Sequence, residues 1–130
     1  MTSYKLKVLI VEDDTLQSLM LEKMLKKLDF AICGKADKGQ EAIELAKTNK
    51  PDLITMDIML ADDIDGIQAA KQIQKDSDAD LIYLSGNKDE NTLRRVSETR
   101  YKKFFCKPFN IKELEYYFRE YKALNGMRLV

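Results

Sequence analysis

The chain has 130 residues, 45% of them hydrophobic, which suits one domain over residues 1–130 and leaves little room for a second. Its 22 Lys and Arg balance 22 Asp and Glu, so no global field draws it to nucleic acid or to an anionic membrane. It has no histidine, which excludes Ser-His and Cys-His nucleophilic pairs, His-bearing zinc sites and a phosphohistidine of its own, and leaves carboxylates, hydroxyls, lysine and a metal to carry any chemistry.

In chain order, the start at Met1-Thr2-Ser3-Tyr4-Lys5 lacks the apolar core of a signal peptide. The apolar run Leu6–Val11 then stops at Glu12-Asp13-Asp14, the pattern of a strand buried on both faces. Leu21, Met24, Leu25 and Leu28 follow at helical spacing and predict an amphipathic helix over about residues 15–28. A weaker strand at Ala31–Gly34 precedes a helix over Gly39–Lys47 that buries Ala42, Ile43 and Ala46, and Asn49-Lys50-Pro51 breaks the chain. Leu53–Met56 is a third strand ending at Asp57, and Gly66 opens a third helix with Ile67, Ala70 and Ile73 inward. Leu81–Leu84 is a fourth strand ending at Ser85, followed by a helix over Asn91–Thr99 with Leu93 and Val96 as its apolar residues. Lys103–Cys106 is the fifth strand, closed by Lys107-Pro108, and Ile111, Leu114, Tyr117, Phe118, Tyr121 and Leu124 stripe the last helix.

Five strand-helix alternations predict an α/β fold, a doubly wound five-stranded parallel sheet with five helices. Cys33 and Cys106 stand far apart in apolar stretches and read as buried free thiols. With no apolar run long enough to span a bilayer, the expected setting is reducing and cytoplasmic.

In such a sheet, ligands bind at the carboxyl ends of the strands. Those ends carry Glu12, Asp13 and Asp14, then Asp57, Ser85 and Lys107. Carboxylates about 4 Å apart repel by roughly 4 kcal/mol per pair at an effective dielectric of 20, so a site that gathers them normally holds a cation. Oxygen-only donors that leave room for water and phosphate favour Mg²⁺ over Ca²⁺. With Lys107 as a fixed positive charge and Ser85 as a hydroxyl donor, the edge could neutralise a phosphoryl group while Asp57 attacks it. Each residue alone has a plainer reading: Asp57 as a turn or cap, the acidic run as a solvated turn capping the first helix, Ser85 as a turn residue, Lys107 as solvent-facing. The conjunction at four strand ends is what favours the site.

Val11-Glu12-Asp13-Asp14, Pro51 through Ile58, Asp65-Gly66, Leu84-Ser85-Gly86 and Phe105-Cys106-Lys107-Pro108-Phe109 resemble the receiver domain of two-component response regulators, over essentially the whole chain. The resemblance implies a flavodoxin-like, chemotaxis-regulator-like sheet in the order 2-1-3-4-5 and an aspartyl phosphate on Asp57. It also implies Mg²⁺ held by Asp13, Asp57 and the Met59 carbonyl, with Glu12 acting mainly through metal-bound water. Ser85 and Lys107 would contact the phosphoryl group, Ser85 and Phe104 would form the switch pair, and a cis peptide would precede Pro108.

The donor would be a sensor histidine kinase or histidine phosphotransfer protein docking near the first helix. The face formed by helix 4, strand 5 and helix 5 would change affinity for an output protein or domain that the sequence does not name, and self-association as a homodimer is left open. Dephosphorylation is expected to be slow, because Met59 and Asn87 offer no acid to orient water. Three features depart from the common family pattern: a loop from Met59 to Gly66 that is one residue longer and lacks proline, Phe104 in place of a frequent tyrosine, and Thr99-Arg100-Tyr101 before the fifth strand. A constitutive binding module is the alternative reading. A phosphatase with an aspartyl intermediate is a third, weakened by Met59 standing where such enzymes commonly carry an acid.

Overall fold

Strands and helices alternate along the computed structural model, which describes residues 4–127; the readings made at Met1–Ser3 and at the chain's end, 128–130, lie outside it. The elements are β1 (Lys7–Val11), α1 (Thr15–Lys27), β2 (Ala31–Ala36), α2 (Gly39–Asn49), β3 (Leu53–Met56), α3 (Gly66–Ile73), β4 (Asp80–Ser85), α4 (Glu90–Val96), β5 (Lys103–Cys106) and α5 (Ile111–Met127). All strand pairs are parallel, in the order β2-β1-β3-β4-β5, as expected. Among the described residues no helix is long and apolar enough to cross a membrane.

Strand alternation divides the core in two. Leu9, Val11, Ile54, Met56 and Tyr83 point one way, onto Ala42, Ala46, Ile67, Ala70 and Val96 of α2 to α4. Val8, Ile10, Leu53, Ile82 and Leu84 point the other way, onto Leu21, Leu25, Leu114 and Phe118 of α1 and α5. Burial on both faces is why these strands read as unbroken apolar runs.

Local chemistry sets the helix starts. Asp14 caps α1 by accepting from Gln17 N at 3.0 Å, Asp89 caps α4 by accepting from Thr92 N at 2.8 Å, and Asp65 forms a reciprocal capping box with Gln68 on α3. α2 differs. Its own N-cap, Lys38, makes no side-chain cap bond. Asp62, from the loop after β3, accepts from Gly39 N at 2.8 Å and Gln40 N at 3.0 Å instead. Those two N–H donors hold the Asp62 carboxyl below its ordinary pKa.

Several expectations need correction. Strand β2 runs on to Ala36, because as an edge strand it tolerates the exposed Lys35, and its register with β1 shifts between Val8 and Leu9. Helix α4 stops at Val96, where the Thr99 hydroxyl and amide both bond the Val96 carbonyl, at 2.7 and 3.0 Å. Only Val96 of its two apolar residues enters the core, and Leu93 faces solvent. Ile111 and Leu124 are likewise exposed on α5, while Ile43 is half-buried. Cys33 and Cys106 are free but only partly buried, since β2 and β5 are the two edges of the sheet.

Candidate functional site

Sheet register assembles the site. Val11 pairs with Met56, so Glu12 and Asp57 leave neighbouring strands side by side, with Asp57 N donating to Val11 O at 2.9 Å. Ser85 pairs with Cys106, so Lys107 leaves β5 beside Ser85, and Lys107 N donates to Ser85 O at 2.8 Å. The Lys107–Pro108 peptide is cis.

At this edge the Lys107 ammonium lies 2.7 Å from Glu12 Oε1 and 3.1 Å from Asp57 Oδ2. The remaining oxygens are also engaged: Asp57 Oδ1 accepts from Ile58 N at 2.8 Å, and Glu12 Oε2 from Asp14 N at 3.1 Å. One oxygen each from Glu12, Asp13 and Asp57 lies within 4.8 Å of the others. Glu12 is 3% exposed and Asp57 5%, whereas Asp13 is open to solvent, so the cleft has a closed floor and an open lip.

The electrostatics of the cleft suit a cation. Burial and the hydrogen-bonded neighbour Asp57 raise the Glu12 pKa above its usual 4.5, against the opposing pull of Lys107. Burial alone would lower Lys107, but Glu12 and Asp57 outweigh it and hold the ammonium above its usual 10.5. Both directions agree once the neighbours are counted, because one lysine faces two acids and Glu12 faces a buried like charge. Folding therefore draws on Glu12 most strongly below pH 4.5, and that contribution is lost as pH rises through the raised folded value. Above that value the charge on Glu12 works against the fold. Three acids against one lysine, all oxygen donors, fit a hard divalent ion.

Ser85 is buried, and its oxygen accepts from Asn87 N at 3.1 Å. Its own proton reaches only Asn87 O at 3.4 Å, too long to hold a hydroxyl firmly, so the O–H is available to another acceptor. Phe104 is half-buried, with its ring 6.2 Å from that of Tyr83. Tyr83 is fully buried, its hydroxyl 2.9 Å from that of Thr99 and its pKa pushed up to about 12 by burial. The Met59 side chain is exposed on the loop that leaves Asp57.

Glu12, Asp13, Asp57 and Lys107 are thus brought together, with Ser85 at the adjoining strand end. Asp14 is not part of the cluster, since its carboxylate caps α1. Two residues escaped the sequence reading. Asp62 lies in the loop after Asp57, and the signal that could have located it is the missing cap at Lys38, which leaves helix N–H groups needing an acceptor from elsewhere. Arg95 of α4 pairs with Asp65 at 2.7 Å, which ties α4 to the start of α3.

A family model for the response regulator receiver domain matches residues 8–119. The transcriptional regulatory protein PdtaR of Mycobacterium tuberculosis is 35% identical over 127 residues, covering 92% of this chain and 62% of PdtaR. The chain thus spans less than two thirds of that relative. The chemotaxis protein CheY of Thermotoga maritima is 36% identical over 104 residues, covering 79% of this chain and 86% of CheY. Among solved structures, a two-component response regulator from Clostridium difficile superimposes with a TM-score of 0.81 at 25% identity, covering 95% of this chain and 97% of the other.

Proposed function

We propose that this chain, which belongs to the response regulator receiver domain family, accepts a phosphoryl group on Asp57 from the histidine of a sensor kinase or phosphotransfer protein. The supporting observation is the oxygen cluster of Glu12, Asp13 and Asp57 with the Lys107 ammonium against two of its members. Asp13, Asp57 and the Met59 carbonyl would hold Mg²⁺, with Glu12 assisting through water. The bound ion supplies charge neutralisation at the phosphoryl oxygens.

The chain's own residues do the rest. A carboxylate oxygen of Asp57 forms the new bond to phosphorus as the bond from phosphorus to the donor nitrogen breaks, and the electron pair leaves with the donor imidazole. Lys107 turns from the carboxylates to the incoming phosphoryl oxygens, and Ser85, whose proton is weakly held, donates to another. Movement of Ser85 toward phosphate opens space for Phe104 to turn inward, which alters the face formed by α4, β5 and α5, where an output partner would read the change. Met59 and Asn87 place no acid beside the acceptor, so the phosphoryl group is held long enough to signal. The donor docks beside α1, where Leu16, Leu19 and Met20 are exposed and a cavity of about 220 Å³ opens between α1, Phe109 and Ile111.

Glu12→Gln tests the metal half of this reading. The Mg²⁺-free fold is expected to stay as stable as wild type or become more stable at neutral pH, because the amide removes the charge that burial opposes. Mg²⁺ affinity is expected to fall about tenfold. Calorimetric titration with Mg²⁺ beside urea unfolding reads both, and unaltered Mg²⁺ affinity would remove Glu12 from the site. In the wild type, affinity should decline on acidification before the ordinary carboxylate range is reached, since Glu12 takes up its proton early.

A further inference from the structure

We propose that Asp62 is a positioning residue, which clamps the loop after Asp57 to the start of α2 and so aims the Met59 carbonyl at the metal site. The role of Met59 rests on the function proposed above; the clamp itself rests on contacts in the fold.

The loop from Ile58 to Asp65 is held at two places. Near Asp57, Gly66 N donates to Ile58 O at 2.7 Å, which brings the two ends of the loop together. Farther out, Ala61 N donates to Asp37 O at 3.0 Å, and the two Asp62 oxygens accept from Gly39 N and Gln40 N at 2.8 and 3.0 Å. Ile64 presses on the same spot: a Cβ added to Gly39 would lie 2.4 Å from the Ile64 carbonyl oxygen and 2.7 Å from its Cβ. Met59 and Leu60 bridge these two anchors, so the direction of the Met59 carbonyl depends on both.

Asp62 is suited to this task because α2 leaves the place open. Lys38 has the extended N-cap backbone, φ −128° and ψ 148°, but offers no acceptor, so the first N–H groups of α2 take theirs from the loop. One carboxylate thereby serves the helix and the loop together, and the family's site gains a tether from the same segment that carries its extra residue.

The test must separate loop positioning from helix capping. Asp62→Ala removes both functions, and Asp62→Asn keeps one of the two acceptor oxygens. Asp62→Ala combined with Lys38→Ser gives α2 a cap of its own while leaving the loop untied. Two readouts apply: hydrogen exchange of the Ala61 amide without metal, and titration with Mg²⁺ alone.

In Asp62→Ala, Ala61 should exchange about fivefold faster, the population change that loss of one side-chain cap produces. Mg²⁺ affinity should drop about tenfold, the low end for residues that orient a metal ligand from behind. Asp62→Asn should restore part of both, through its single acceptor oxygen. In the double variant the urea midpoint should recover while fast exchange and weak Mg²⁺ binding persist. Recovery of Mg²⁺ affinity together with stability would reduce Asp62 to a helix cap and overturn the proposal, as would wild-type exchange and affinity in Asp62→Ala. Wild-type protein that binds no Mg²⁺ would overturn the metal reading itself, a different result from wild-type binding that Asp62→Ala leaves untouched.

Discussion

Lys107→Met is expected to lower the stability of the Mg²⁺-free protein by about 2 kcal/mol at neutral pH and to prevent phosphoryl transfer to Asp57. The methionine keeps the apolar stem and removes the charge together with its two hydrogen bonds. Glu12 and Asp57, both nearly inaccessible, would then face one another without the ammonium that now sits 2.7 and 3.1 Å away. Stranding a buried charge costs more than this in a closed interior, but here the cleft opens past the exposed Asp13, so the lower figure is appropriate.

The deficit has a sign in pH. Glu12 is already raised above 4.5, and without Lys107 it rises further, so acidification neutralises it and the variant regains ground on the wild type. Mg²⁺ should narrow the gap as well, because the cluster freed of the competing Lys107 charge binds the cation more tightly. Urea unfolding at two pH values, with and without Mg²⁺, checks each point. Equal stability of variant and wild type at neutral pH would mean that the three groups are not a coupled unit.

The second large effect concerns space. A Cβ added to Gly66 would stand 2.0 Å from the Asp57 carbonyl oxygen and 2.9 Å from its carbonyl carbon, both backbone atoms that have nowhere to retreat. Gly66→Ala must therefore push the start of α3 away from the end of β3, at a cost of about 3 kcal/mol. The need is for room rather than for an unusual backbone, since no described glycine has a positive φ. Gly86→Ala is the control, because nothing lies within 4 Å of its added Cβ. Unfolding midpoints should separate the two sharply, and a Gly66→Ala midpoint equal to wild type would contradict the close approach. Any folded fraction should also accept phosphate poorly, as Asp57 itself would have moved.

The central strands were legible because burial on both sides leaves no polar position to blur the pattern: Leu53–Met56 reads directly as β3, and the acid that ends it, Asp57, lies in the acidic cluster. Edges were harder to read. In β2, Lys35 hides the end of the strand past Gly34, because an edge tolerates what an inner strand cannot. The end of α4 depends on the Thr99 hydroxyl capturing the Val96 carbonyl, an event that periodicity cannot register. Within the site, Glu12, Asp13, Asp57, Ser85 and Lys107 were legible from their place after apolar runs. Asp62 was not, because its partners Gly39 and Gln40 lie more than twenty residues upstream and only the folded chain brings them near. The same holds for Arg95 and Asp65, whose pairing spans two separate helices.

Intact mass after incubation with Mg²⁺ and acetyl phosphate, wild type against Asp57→Asn, tests the central claim most directly. The account predicts a phosphoryl-sized gain in the wild type that requires Mg²⁺ and is absent from the variant. No gain in the wild type, with donor and metal proven competent on a control receiver, would contradict it and leave a constitutive binding module on the receiver fold.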